Sequence, residues 1–167
     1  KKTIKCGKNT INEYDDNIPS NLSAEQILIR SGNIGSVRIA QTVGLEKFKE
    51  FINKLNLINS IQFDIEEVGV PVSFKWGKCK LATVSYGHGI TTTILQLANA
   101  YSIIVNGGYK IEPTLIKKEI FLKRKKILKK DVSKKINDIL RKIVTTKEGT
   151  ASLANVEGYE VGGKTGT

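Results

Sequence analysis

The sequence predicts an α+β fold, and three observations carry that expectation. Apolar residues recur at helical spacing through the middle of the chain, strand-like alternation gathers in residues 111–130 and from Tyr159 onward, and glycine-rich breaks separate the two kinds of segment. With 167 residues and a hydrophobic fraction of 40%, the chain has the composition of a globular domain with one ordinary core. No internal repeat or low-complexity linker divides it.

Residues 1–19 are polar and poorly periodic, which predicts a loop with room for a short strand. Ser23-Ala24-Glu25-Gln26 then has the form of a capping box, a hydroxyl to cap and a Gln to reach back, and predicts a helix to about Arg30. Ser31-Gly32-Asn33 interrupts it. Ile34, Val37, Ile39 and Ala40 begin a second amphipathic stretch that Gly44 closes, and Leu45, Phe48, Phe51, Ile52 and Leu55 predict a third helix from Leu45 to about Asn56. Ile61, Phe63 and Ile65 alternate as a strand would. Gly69, Pro71 and Gly77 punctuate a long connection onto which Trp76 is expected to act as an anchor. After the glycine-dense turn Ser85-Tyr86-Gly87-His88-Gly89, Thr91-Thr92-Thr93 opens a helix through Leu95, Leu97, Ala98, Tyr101 and Ile104, closed by Asn106-Gly107-Gly108. Residues 111–130 alternate weakly and carry Lys123-Arg124-Lys125-Lys126 and Lys129-Lys130, the pattern of a solvated hairpin. Ser133 is expected to cap a last helix whose apolar face is Ile136, Ile139, Leu140, Ile143 and Val144, before a final strand.

The charge balance is strongly basic, 27 Lys+Arg against 16 Asp+Glu, for a net +11. An anionic partner such as nucleic acid would suit it, and a basic, non-enzymatic binding module is one reading. The basic residues are nearly all Lys in a chain rich in Ile and Asn, the mark of an AT-biased genome, so charge alone carries little weight. Cys6 and Cys79 lack Cys-x-x-Cys spacing and His88 is the single histidine, so the usual zinc ligand sets cannot be assembled. The cysteines are open to either a disulfide or, more commonly, two thiols. No apolar run reaches the length of a membrane span, so an anchor of the parent protein is expected outside this chain.

The chemistry concentrates at Gly162-Gly163-Lys164-Thr165-Gly166-Thr167, where a cation, two hydroxyls and bare backbone amides suit an anion. Gly158 to Thr165 also satisfies the G-x-x-x-x-G-K-[ST] pattern of a nucleotide-binding phosphate loop. Such a loop needs an apolar strand before its first glycine and a helix opening at the Lys-Thr. Ala151 to Glu157 is too small and polar for that strand, and Tyr159 and Val161 alternate where the loop should be. The stretch therefore reads better as an edge strand carrying Lys164.

Three features now fall into one order: Ser31-Gly32-Asn33 with the Ser-x-Asn form, the turn Ser85-Tyr86-Gly87-His88-Gly89-Ile90 followed by Leu95-Gln96-Leu97-Ala98-Asn99-Ala100-Tyr101 and Asn106-Gly107-Gly108, and Lys164-Thr165-Gly166-Thr167. In order and spacing this resembles the transpeptidase domain of class B penicillin-binding proteins, most closely the septal peptidoglycan D,D-transpeptidases of cell division. The resemblance spans roughly Leu22 to Thr167. It implies the penicillin-binding/serine β-lactamase-like fold, an antiparallel sheet flanked by helices, incomplete at both ends, with residues 1–167 forming a partial domain from before Ser-x-Asn to the Lys-Thr-Gly strand.

The resemblance also implies roles. A Ser-x-x-Lys nucleophile would attack a D-Ala-D-Ala peptide bond and pass the acyl group to an amine; no serine here is followed by lysine three residues later, so the piece is expected not to acylate by itself. Ser31 would relay a proton to and from the leaving amine, Asn33 would hold the substrate amide and the general-base lysine, and Lys164 would supply positive potential. Thr165 and Thr167 would bind the substrate carboxylate, the Thr167 N–H would serve an oxyanion hole, and Gly166 would leave a bare edge for a peptide strand. Taken singly, Ser31 and Asn33 read as helix-capping residues, Lys164 as a solvated lysine and His88 as structural. Implied partners are peptidoglycan stem peptides, β-lactams and division-complex proteins, with no nucleic acid, no metal and no organic cofactor. The implied location is the periplasmic face of the bacterial inner membrane at the division septum, with any membrane contact through a segment outside this chain.

Overall fold

The structure, a computed structural model, describes residues 3–117 and 124–166. In chain order its elements are strands β1 (Thr3–Cys6) and β2 (Asn9–Asn12) and helices α1 (Ala24–Ile29), α2 (Asn33–Val43), α3 (Leu45–Lys54), α4 (Lys78–Val84), α5 (Ile94–Val105) and α6 (Lys130–Thr145). A 3-10 turn follows at Ser152–Ala154. The chain divides into two compact units, one formed by Lys1–Phe48, Lys75–Gly89 and Asn137–Thr167, the other by Lys49–Phe74 and Ile90–Ile136.

The first unit is built around a hairpin. β1 and β2 pair antiparallel with Ile4 opposite Ile11 and Cys6 opposite Asn9, and Gly7 turns the chain at φ 61°. Ile11 packs with Ile34 and Val37 of α2 and Ala82 of α4, with Ile4, Cys6 and Tyr86 around them. Helix α1 is capped as its sequence predicts: the Ser23 hydroxyl accepts from the Gln26 N–H and the Gln26 side chain accepts from the Ser23 N–H. It approaches α2 closely at Gly35, where a Cβ would lie 2.5 Å from Ile27. A disulfide joins Cys6 of β1 to Cys79 of α4, with the Cα atoms 5.3 Å apart. Trp76 meets Phe48 edge to face at 6.3 Å and anchors the preceding connection as expected.

In the second unit α5 carries the second capping box, Thr93 with Gln96. Gln96 is fully buried, and its amide nitrogen also donates to the carbonyls of Asn56 and Asn59, so one side chain ties the connection after α3 to the start of α5. Leu55, Ala100 and Ile103 form the core, with Leu57 and Ile127 against it.

Several expectations need correction. The stretch 1–19, expected as a loop with room for a short strand, holds a two-stranded sheet; its signal is weak because Ile4, Cys6 and Ile11 are the few strand residues packed in the core cluster. Ile61, Phe63 and Ile65 form no strand, since no described segment pairs with them. Helix α4 sits where a loose connection was expected; it is one short helix whose N-cap, Gly77, makes no side-chain cap bond. Ser133 lies inside α6, not at its cap, and its buried hydroxyl donates to the Ile104 carbonyl and accepts from the Gly107 N–H. In residues 111–130 the described part holds a single bridge, Tyr109 with Lys126; Lys123 lies outside the described residues. The final stretch is not a strand among the described residues, because it pairs with no neighbour; side chains and backbone of α6 hold it instead. Among the described residues the fold is thus mainly helical, with one small antiparallel sheet. No helix among the described residues is long and apolar enough to cross a membrane.

The disulfide closes a sequence separation of 73 residues, and constraining an unfolded chain over such a loop contributes about 2–4 kcal/mol. Reduction, or Cys6→Ala with Cys79→Ala, is expected to lower the denaturation midpoint accordingly. An unchanged midpoint under strong reductant would show that the two sulfurs are not bonded in solution.

Candidate active site

Ser31 owes its place to the way α1 ends. The Ser31 N–H donates to the Leu28 carbonyl and the Gly32 N–H to the Ile27 carbonyl, the paired bonds of a Schellman motif, and Ser31 takes the left-handed position at φ 56°. Glycine is the usual occupant there, and a side chain held in this region costs on the order of 1–3 kcal/mol. The Tyr14 hydroxyl steadies the turn by donating to the Arg30 carbonyl at 2.8 Å.

Asn33 opens α2 two residues later. The N-cap residue is Gly32, which has no side chain to offer, and the Glu13 carboxylate takes over: it accepts from the Asn33 N–H at 2.6 Å and the Ile34 N–H at 3.1 Å. A remote carboxylate therefore satisfies two free donors of the helix and sits where the helix dipole favours negative charge. The Asn33 side chain donates to the Asn12 carbonyl at 2.9 Å, which commits one end of its carboxamide to β2.

The second group of predicted residues lies along α6. The Gly163 N–H donates to the Leu140 carbonyl at 3.1 Å, and the Arg141 guanidinium donates to the Val161 carbonyl at 2.7 Å and to the Asn155 side chain at 3.1 Å. Lys164 is half-buried. Its Nζ donates to the carbonyl and the hydroxyl of Thr165, each at 3.0 Å, and the hydroxyls of Thr165 and Thr150 lie 2.9 Å apart. Burial lowers the Lys164 pKa below the ordinary lysine value. Gly166 is exposed with open space at its missing Cβ, and Thr167 lies outside the described residues.

The structure thus gathers Ser31 with Asn33, and Lys164 with Thr165, all in the first unit; Ser31 and Lys164 share no hydrogen bond. Sequence reasoning missed Glu13 and Thr150. Each acts across a gap in sequence that no motif spans. The His88 ring stacks on Tyr86 with centroids 6.1 Å apart, and the His88 backbone N–H donates to the Thr83 carbonyl. A phosphate loop lacks its first requirement among the described residues: a 3-10 turn, not a strand, precedes Gly158.

The chain as a whole is similar to known proteins. Residues 1–167 match the penicillin binding protein transpeptidase domain, and the chain belongs to that family, in its class B branch. It is 29% identical over 172 residues to the probable peptidoglycan D,D-transpeptidase FtsI of Caulobacter vibrioides, which covers 100% of this chain and 29% of that protein. The transpeptidase domain of Burkholderia pseudomallei penicillin-binding protein 3 has the same fold, with a TM-score of 0.86 at 23% identity over 98% of this chain and 50% of the other. Penicillin-binding protein 3 of Mycobacterium tuberculosis, in complex with aztreonam, superimposes with a TM-score of 0.77 at 18% identity over 96% of this chain and 37% of the other. The chain therefore spans well under two thirds of each of these proteins.

Two outcomes follow from this geometry. Glu13→Ala removes a cap from two amides and is expected to cost about 1–2 kcal/mol, with faster hydrogen exchange at Asn33 and Ile34; unchanged exchange there would exclude the remote cap. For Lys164, folding disfavours the charged form, so the protonated side chain costs stability below its lowered pKa. That cost fades as pH rises from the lowered pKa toward the ordinary lysine value. In a lysine-selective NMR titration one resonance should titrate below the rest and vanish in Lys164→Gln.

Proposed function

We propose that this chain is part of a peptidoglycan D,D-transpeptidase that cross-links stem peptides during septal wall synthesis by serine acyl transfer. The observation that carries the reading is Ser31: a hydroxyl is kept at a left-handed position where glycine would cost less, inside a turn braced by Tyr14 and followed by a helix that Glu13 caps. Strain retained at a polar residue points to use of its side chain. Family membership and the FtsI relative supply the reaction class.

In this reading a serine from a Ser-x-x-Lys motif attacks the D-Ala-D-Ala carbonyl, and an acyl-enzyme forms as the terminal D-Ala leaves as an amine. An amine of a second stem peptide then takes the acyl group, and the serine regains its proton. Ser31 hands a proton to the leaving amine and receives one from the incoming amine. The Asn33 carboxamide would hold the substrate amide and the general-base lysine of the Ser-x-x-Lys motif, with one hydrogen of its amide nitrogen already committed to the Asn12 carbonyl. Lys164 and Thr165 attract the substrate carboxylate, and Thr167 joins them. The carboxylate favours the charged form of Lys164, opposing the effect of burial. Gly166 lets the substrate peptide lie alongside as an added strand. Every step is performed by protein groups, so the reaction calls for no metal or organic cofactor. The 167 residues contain no Ser-x-x-Lys, and the chain alone is expected not to acylate.

β-Lactams mimic the stem peptide, and the aztreonam complex of the Mycobacterium tuberculosis protein supports carrying that ligand class over. The setting that fits is the periplasmic face of the inner membrane at the septum, among other division proteins.

The test is covalent labelling by a fluorescent penicillin of this chain and of the parent gene product carrying the Ser-x-x-Lys serine. Only the parent should label. In it, Ser31→Gly should slow labelling on the order of 100-fold or more while raising the denaturation midpoint, because the strain is relieved. An unlabelled parent, or a Ser31→Gly variant that labels at the wild-type rate, would overturn the reading.

A further inference from the structure

The turn after α6 reaches both candidate motifs. It is locked against the helix: the Gly149 N–H donates to the Thr146 carbonyl, the Ala151 N–H donates to the Ile143 carbonyl, and a Cβ on Gly149 would lie 2.0 Å from the Ile143 oxygen. Only glycine passes there, so its two neighbours are held in one arrangement. On one side Glu148 accepts from the Arg30 guanidinium at 2.7 Å, and Arg30 directly precedes Ser31. On the other side the Thr150 hydroxyl meets Thr165, which receives the Lys164 ammonium.

The Arg30–Glu148 pair is a poor device for stability. The side chains are 22% and 51% exposed, and ion pairs in contact with solvent contribute little to folding. Its geometry suits another task. It joins the residue before Ser31 to the residue before Gly149 across a separation of 118 positions, and the same turn fixes the hydroxyl against which Thr165 rests. We propose that Arg30 and Glu148 are positioning residues that set Ser31 relative to Lys164, so that proton relay and carboxylate binding act on one substrate.

This rests on the transpeptidase reading and deepens it. The mechanism needs Ser31 at the leaving amine while the carboxylate of the same terminal residue sits at Lys164, a distance fixed by the substrate. Misplacement by about 1 Å costs on the order of 100-fold in rate. Among the described residues the Ser-x-Asn and Lys-Thr-Gly segments share no hydrogen bond that would set that distance directly. A bracket outside both motifs can do so, and the turn at Gly149, held on α6, reaches both.

The experiment uses the full parent protein and resolves penicillin acylation into the noncovalent binding constant and the first-order acylation rate. Arg30→Gln and Glu148→Gln are each expected to slow the first-order step about tenfold, leaving noncovalent binding and the thermal midpoint near wild type. The swapped pair, Arg30→Glu with Glu148→Arg, should recover most of the rate. Acylation unchanged in both single variants would overturn the proposal, as would a loss that tracks a fall in midpoint or that the swap does not restore. In those outcomes the labelled wild type leaves the transpeptidase reading standing; an unlabelled wild type would overturn both.

Discussion

The arrangement of the first unit depends on four consecutive residues of one helix. In α6 the Leu140 carbonyl holds Gly163, the Arg141 guanidinium holds Val161, the Lys142 ammonium pairs with Glu25 of α1 at 2.5 Å, and the Ile143 carbonyl receives Ala151. Ile143 and Val144 are themselves almost wholly buried, so the helix that serves as bearing is fixed by the core. Consecutive helical residues point in directions about 100° apart. One turn of helix can therefore hold the lysine segment, the helix before the serine and the turn between them without the three competing for space.

What α6 supplies as a bearing, Glu13 supplies as a cap. A helix beginning with a glycine N-cap leaves its first amides without a side-chain acceptor, and here a carboxylate from the end of β2 fills the gap. The consequence is a coupling between distant parts of the sequence. Glu13 follows β2 directly, β2 is held in register by β1, and β1 is bonded through Cys6 to α4. The position of Asn33 thus depends on a hairpin and a disulfide that carry no catalytic group.

The helices were legible where their signals are local. Ser23 with Gln26 and Thr93 with Gln96 are three residues apart, and each pair forms the reciprocal bonds its spacing promises. The apolar face of α6 was legible for the same reason: Ile139, Leu140, Ile143 and Val144 repeat within two turns. The candidate site was legible only as motifs, Ser31 with Asn33 and the Lys164 segment, because each is contiguous. Glu13, Thr150, Arg30 and Glu148 were not. Their partners lie at separations from 15 to 118 residues, and a carboxylate that caps a distant helix has the same local pattern as one in water. Ser133 illustrates the converse. Its residue type suggested a cap, yet burial turned the hydroxyl toward the end of α5, where it satisfies both a carbonyl and an amide.

The electrostatics of Lys164 differ from those of a surface lysine. A lysine meant only to raise solubility would be extended into water, whereas this one is half-buried and bends back onto the carbonyl and hydroxyl of Thr165. Burial weakens its hold on the proton, so the charged form is kept at a cost and gains most from a carboxylate that replaces the lost water. The high net charge of +11 contributes little to this, since charges spread over an exposed surface are screened within about 8 Å at physiological salt. On the proposed reading, selectivity for an anion at this point would come from one partly desolvated ammonium beside two hydroxyls, held in place by α6, rather than from the abundance of lysine elsewhere.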